Sequence, residues 1–194
     1  MISLNNLGFK AGEQQLFHGI NLSFLPGAVT MVSGPNGSGK TSLLRLLAGV
    51  AKPSQGRVEQ ATTLASPAVY ISHFHDLGEN LDVLANLEAW SQLFNTQTLL
   101  KAAITYFNLE NYLSHLICDL SAGLKQRIQL CRLLLWPSNL WLLDEPFAHL
   151  DRKQQEVLEQ LINTKASTGG IIFYSEHKAA LKITSFNLEI TDYQ

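Results

Sequence analysis

The chain has 194 residues, 46% hydrophobic and only 15% charged, which is enough for one domain with a proper core and a little apolar for a freely soluble protein. A net charge of −2, with no basic run or stripe, gives no support to nucleic acid as a partner. No apolar run reaches the ~18 residues of a membrane span, and the greasiest stretch, Leu130 to Trp141, is interrupted by Arg132 and Pro137.

The N-terminus, Met1-Ile2-Ser3-Leu4-Asn5-Asn6, lacks a basic n-region and a signal-peptide core, so the chain is expected to stay in the cytosol. Ile2 to Leu7 and Leu16 to Leu25 predict the strands of a hairpin. Ala28 to Val32 predicts a buried strand and Ser42 to Ala48 a helix. Between them, Gly34-Pro35-Asn36-Gly37-Ser38-Gly39-Lys40-Thr41 fits G-x-x-x-x-G-K-[ST] at every required position. Glycines let such a loop fold around an anion, so that backbone N–H groups point at phosphate oxygens. The following helix N-terminus adds partial positive charge. Lys40 is expected to reach the β- and γ-phosphates and Thr41 to bind Mg²⁺, with Ser42 beside them. An ordinary Gly-rich turn is the alternative, and the strand and helix flanks argue against it.

Val69 to Ser72 predicts another buried strand, and Leu81 to Phe107 turns helical through Leu81, Leu84, Leu87, Leu99, Leu100, Ala103, Ile104 and Phe107. Cys118 and Cys131 have no metal-ligand spacing and read as reduced structural thiols. Ser121 is placed to N-cap a helix through Leu135. Leu140 to Leu143 and Ile171 to Tyr174 are short apolar runs of the parallel-sheet kind. Between them a helix is expected from about Arg152 to Ala166, N-capped by Asp151, with Val157, Leu158, Leu161 and Ile162 on its apolar face. Phe186 to Thr191 predicts a last strand. The order describes an α/β domain whose sheet is interrupted by a mostly helical subdomain.

Asp144-Glu145 closes the run Leu140 to Leu143, at the strand end where α/β sheets bind ligands. There Asp144 can hold Mg²⁺ through water, and Glu145 can act as general base on the attacking water. A charged pair in a surface turn is the other reading.

Leu120-Ser121-Ala122-Gly123, followed by Leu124-Lys125-Gln126-Arg127, resembles the ATP-binding cassette signature Leu-Ser-Gly-Gly-Gln. With it, a resemblance to ABC-transporter ATPases covers nearly the whole chain. It implies a single P-loop ABC-type nucleotide-binding domain over 1–194. This would have a RecA-like core at about 1–73 and 136–194, an N-terminal antiparallel β region, and a helical subdomain at about 74–135. His177 falls at the family's switch histidine, Leu150-Asp151 at the end of the D-loop, and Phe9 at the adenine-stacking aromatic. In that family two copies pair head to tail around ATP. Ser121, Ala122 and Gly123 of one copy then complete the phosphate loop of the other, with donors aimed at the γ-phosphate.

Three departures stand out. His73 replaces the Q-loop glutamine and is implied to contact the metal's water shell or the attacking water. Leu124 replaces the last signature residue, and Ala148-His149 replaces Ser-Ala in the D-loop. His75 lies close to His73, but no third ligand makes them a metal site.

Tyr70-Ile71-Ser72-His73, Leu81, Asn86-Leu87, the signature, Leu140 to Phe147 and Gly169 to Ile172 together are similar to one branch, the ATP-binding subunits of bacterial cytochrome c maturation systems, which export haem. That resemblance implies a peripheral subunit on the cytoplasmic face of the inner membrane, working with separate membrane-spanning subunits. No residue pattern here forms a haem site. Trp90, Leu93 and Phe94 are candidates for receiving a helix of the membrane subunit, or else core residues of the helical insert. An exporter subunit for another cargo, a soluble ABC ATPase and a nucleotide-binding module without turnover stay open.

Overall fold

The structure is a computed structural model describing residues 1–60, 67–72, 76–176, 181 and 184–194. Its chain divides into two compact units: Met1–Tyr70 with Ser138–Glu145 and Glu159–Gln194, and Ile71–Pro137 with Pro146–Leu158.

In the first unit, β1 (Ile2–Ala11) and β2 (Gln14–Phe24) form the expected hairpin, longer at the turn than the apolar residues indicate. Their inward residues Ile2, Leu4, Leu7, Phe17 and Ile20 are buried; Ile2 and Leu4 keep the strand alternation, which slips at a register shift between Leu4 and Leu7. Two further strands are β3 (Val29–Ser33) and β4 (Gln55–Gln60). β4 pairs antiparallel with β1, Val58 opposite Leu4, in a sheet of order β2-β1-β4. No strand was expected there, because β4 is exposed on nearly every residue and carries no apolar alternation.

The second sheet has the order β5-β6-β7-β3-β8, with β5 (Val69–Ile71), β6 (Leu140–Leu143), β7 (Ile171–Ser175) and β8 (Phe186–Glu189). β3 runs parallel to β7 and β8, and β6 parallel to β7. All residues of β3, β6 and β7 are buried, which is why they read as continuous apolar runs. β8 ends at Glu189, two residues short of expectation, because Ile190–Tyr193 turns into a 3-10 helix. Helix α1 (Lys40–Leu47) lays Leu43, Leu44, Leu46 and Leu47 into the same core as Leu142 and Phe173. Each such fully buried side chain contributes about 1.5–3 kcal/mol.

In the second unit the run expected from Leu81 to Phe107 forms two helices, α2 (Val83–Leu93) and α3 (Gln97–Tyr106). Asp82 caps α2, accepting from Ala85 N–H at 2.7 Å, so Leu81 falls outside the helix and is exposed. Asn95, at φ 55°, turns the chain out of α2 in the left-handed conformation that asparagine tolerates. The helix expected from Ser121 to Leu135 also divides, into α4 (Ala122–Leu130) and α5 (Arg132–Leu135). At the break Cys131 N–H bonds Ile128 O, while the Cys131 thiol lies 3.6 Å from Arg127 O, the carbonyl a continuous helix would have given to the backbone. Burial holds that thiol's pKa far above its ordinary value, so it stays protonated.

Helix α6 (Arg152–Ser167) begins on a capping box: Gln154 N–H donates to Asp151 Oδ1 at 2.9 Å, and Asp151 N–H donates back to Gln154 Oε1 at 3.3 Å. Leu158, Leu161, Ile162 and Ala166 form its buried face, while Val157 is half-buried.

Candidate functional site

The phosphate-loop segment joins buried β3 to α1 in the strand-loop-helix order read from the sequence. Gly34 and Gly39 have φ of 139° and 109°, which L side chains rarely adopt. Space confirms the need: a Cβ on Gly34 would stand 2.7 Å from Ser38 Oγ, and one on Gly39 3.0 Å from the Phe17 ring. Lys40 is buried and donates from Nζ to Gly34 O at 2.8 Å and Pro35 O at 3.0 Å. Burial pushes the Lys40 pKa down, against the opposing pull of Glu145, Asp144 and Glu189.

Thr41, in the first turn of α1, donates from Oγ1 to Asp144 Oδ2 at 2.7 Å. Asp144 is buried at the carboxyl end of β6, and its Oδ1 accepts from Ser175 Oγ at 2.6 Å. Glu145 follows in the left-handed conformation, φ 52°, with its N–H donating to Ser175 Oγ at 2.9 Å. Leu16, Asn36, Gly37, Gly39, Lys40, Thr41, Ser42 and Glu145 line one cavity of about 240 Å³. Lys40, Thr41 and Glu145, predicted separately from two motifs far apart in sequence, thus meet at one cavity, with Asp144 hydrogen-bonded to Thr41.

The residues fit a nucleoside triphosphate and a hard cation. Ser38 Oγ, inside the loop, is buried without a hydrogen-bond partner among the described residues. The glycine positions leave a cradle that side chains would fill, and a hydroxyl beside a carboxylate is the oxygen donor pair that suits Mg²⁺. Phe9 is half-buried and stacks on Phe17 with ring centroids 6.2 Å apart; it does not line the cavity, whereas Leu16 does.

Beneath the loop, Ser33 Oγ stands 2.6 Å from Glu189 Oε2 and 2.8 Å from the side-chain oxygen of Asn187. One hydroxyl proton serves one acceptor, so the charged carboxylate takes it. The hydrogen bond from Ser33, together with those from Thr191, holds the Glu189 carboxyl below its ordinary pKa.

In the second unit Ser121 caps α4, accepting from Leu124 N–H at 3.4 Å. Ser121 and Ala122 are exposed. The Ala122 and Gly123 N–H groups lie in the first turn, where a helix supplies no acceptor of its own. Gly123 packs so close to the D-loop that a Cβ would meet His149 O at 2.6 Å. His149 itself is left-handed at φ 62°. Ser121, Gly123, Leu124, Arg127 and His149 help to line a cavity of about 480 Å³. Among the docking candidates, Leu93 is 69% exposed and Trp90 half-buried, while Phe94 stacks on Trp136 at 4.1 Å. The Arg132 guanidinium lies over Trp90 and Trp136.

His73, His75 and His177 lie outside the described residues. Sequence reasoning missed Ser175, Ser33 and Glu189. A serine closing the otherwise apolar strand Ile171–Ser175 is the one signal that pointed to any of them.

The family model described as "ABC transporter" matches residues 17–148. The chain is 39% identical over 182 residues to the cytochrome c biogenesis ATP-binding export protein CcmA of Rickettsia bellii, covering 91% of this chain and 93% of that protein. An ABC transporter ATP-binding protein from Pyrococcus furiosus superposes with a TM-score of 0.85 at 20% identity, covering 100% of this chain and 98% of that one. A dimeric ATP-binding cassette, in a post-hydrolysis state bound to ADP and Pi, superposes with a TM-score of 0.78 at 23% identity, over 92% of this chain and 88% of that one. No helix among the described residues is long and apolar enough to cross a membrane.

Proposed function

Because this chain belongs to the ABC transporter family of ATP-binding proteins, we propose that it is the ATP-hydrolysing subunit of an exporter serving c-type cytochrome biogenesis. The observation carrying the ATPase half is the meeting of Lys40, Thr41 and Glu145 at one cavity, with Asp144 bonded to Thr41. The export half rests on the relative from Rickettsia bellii, which covers nearly the whole chain. Haem as cargo rests on resemblance to that branch and on no residue here; an ABC exporter for another cargo is the second reading.

In the proposed reaction the loop from Gly34 to Gly39 wraps the phosphates with backbone N–H groups, and Lys40 turns its ammonium to the β- and γ-phosphate oxygens. Thr41 and Asp144 would hold Mg²⁺, Asp144 through water; when bound, the ion supplies charge neutralisation at the phosphate oxygens. Glu145 accepts the proton of the attacking water. His73 and His177 are proposed to govern the same step, and Phe9 to stack on adenine.

Each chain carries two halves of different sites. Exposed Ser121 and Ala122, with Gly123, are proposed to donate to the γ-phosphate held by a second copy, paired head to tail. The exposed Leu93, beside Trp90 and Phe94, supports docking of a membrane-spanning subunit and thus a peripheral place on the cytoplasmic face of the inner membrane.

Purification of the tagged chain from membranes tests this. Membrane-spanning proteins should come down with it, and the complex should hydrolyse ATP. Glu145→Gln should keep ATP affinity and lower turnover by about 10²–10⁴-fold. A chain that comes down without membrane proteins, or a Glu145→Gln complex with normal turnover, would contradict the proposal.

A further inference from the structure

We infer that Ser175 is a positioning residue for hydrolysis, one hydroxyl that sets the Asp144 carboxylate and the Glu145 backbone in fixed relation; the inference rests on the ATPase reading above. Ser175 is the last residue of β7, whose neighbour β6 pairs with it in parallel register, Leu143 opposite Tyr174. That register brings residue 175, at the carboxyl end of β7, alongside residue 144, just past the carboxyl end of β6. Ser175 is completely buried.

Its single Oγ acts in both directions. It donates to Asp144 Oδ1 at 2.6 Å and accepts from Glu145 N–H at 2.9 Å. The other Asp144 oxygen accepts from Thr41 Oγ1 at 2.7 Å. Both oxygens of Asp144 are therefore held by side-chain hydroxyls from two different elements, which leaves the carboxylate little freedom to rotate.

Glu145 depends on the same hydroxyl. A glutamate at φ 52° is in a conformation that persists only where the surroundings enforce it. This left-handed residue ends the run of β6 and lets Glu145 line the cavity shared with Lys40 and Thr41. The bond from its N–H to Ser175 is an enforcing contact. Alanine at 175 would keep the strand but leave the Glu145 N–H and Asp144 Oδ1 without this partner in a buried place. The chemistry would then lose alignment, whereas phosphate binding by the loop's backbone N–H groups and Lys40 would not, since the Ser175 hydroxyl is engaged with Asp144 and Glu145.

The test uses the chain assembled with its membrane partners. Ser175→Ala should lower kcat about 10–100-fold, since small misplacements of reacting groups cost on this order. The KM for ATP should stay within about two-fold, and half-maximal activity should need more Mg²⁺, because Asp144 is less fixed. Ser175→Thr keeps the hydroxyl and should recover most of kcat. Ser175→Cys has nearly the volume of serine but is a weak donor, and should behave like alanine. The threonine–cysteine pair reads the hydroxyl even where alanine is too unstable to purify. Wild-type kcat in Ser175→Ala, or equal kcat in the threonine and cysteine variants, overturns the inference and leaves the ATPase reading intact. A wild-type complex that hydrolyses no ATP overturns both.

Discussion

Replacing Gly123 by alanine separates activity from stability at the signature turn. The added Cβ would sit 2.6 Å from His149 O, a backbone atom that cannot swing aside, and relief requires α4 and the D-loop to part by several tenths of an ångström. Overpacking of this kind costs about 1–3 kcal/mol. Against it, Gly123 lies in the first turn of α4, where alanine gains up to about 1 kcal/mol in helix propensity. The net loss is about 0–3 kcal/mol, a fall in Tm of roughly 0–12 °C for a chain of this size. Activity should fall much further, by about 100-fold, because the Gly123 N–H moves with the turn. Thermal melting and ATPase assays on the assembled complex read the two effects separately. His149→Gly in the same chain frees the D-loop backbone and should return part of the turnover. Wild-type turnover in Gly123→Ala would refute the reasoning.

At the loop root, Glu189 is held below its ordinary pKa of 4.5 by the hydrogen bond from Ser33. Between the lowered native value and 4.5 the unfolded chain binds more protons, so this contribution is full above pH 4.5 and is lost as the pH falls through the native value. Melting curves from pH 7 to about pH 3 should show wild type above Glu189→Gln at neutral pH, with the gap closing on acidification; a gap that widens would contradict it. Leu93→Glu places a charge on a side chain that is 69% exposed, so Tm should change little while membrane subunits are lost on purification. Retention of those subunits by Leu93→Glu would remove this face from docking.

Much of the first unit was legible because its physics is local. The phosphate loop announces itself through glycines that the backbone angles at Gly34 and Gly39 demand. The strands β3, β6 and β7 announce themselves as apolar runs because the sheet buries every residue of them. β4 was hidden, since a strand exposed on nearly every residue has no hydrophobic period to read. The break at Cys131 was hidden as well: its neighbours are good helix formers, and only the competing thiol marks it. Ser175 and Glu189 act on partners 31 and 156 residues away in sequence, contacts that only the parallel register of β6, β7, β3 and β8 creates. In the second unit the cap at Ser121 was legible from residue type. The close approach of Gly123 to His149 was not, because glycine in a signature turn already has a reason to be there.

The central claim is that one chain supplies two halves of different ATP sites. Lys40→Ala disables the phosphate loop and spares the signature, whereas Ser121→Arg fills the signature turn and spares the loop. Each variant alone, assembled with the membrane subunits, should be inactive. Mixed before assembly, they should recover up to about a quarter of wild-type turnover, because random pairing makes half of the dimers mixed and each mixed dimer keeps one of its two sites. No recovery on mixing, or wild-type turnover by Ser121→Arg alone, would contradict a shared site.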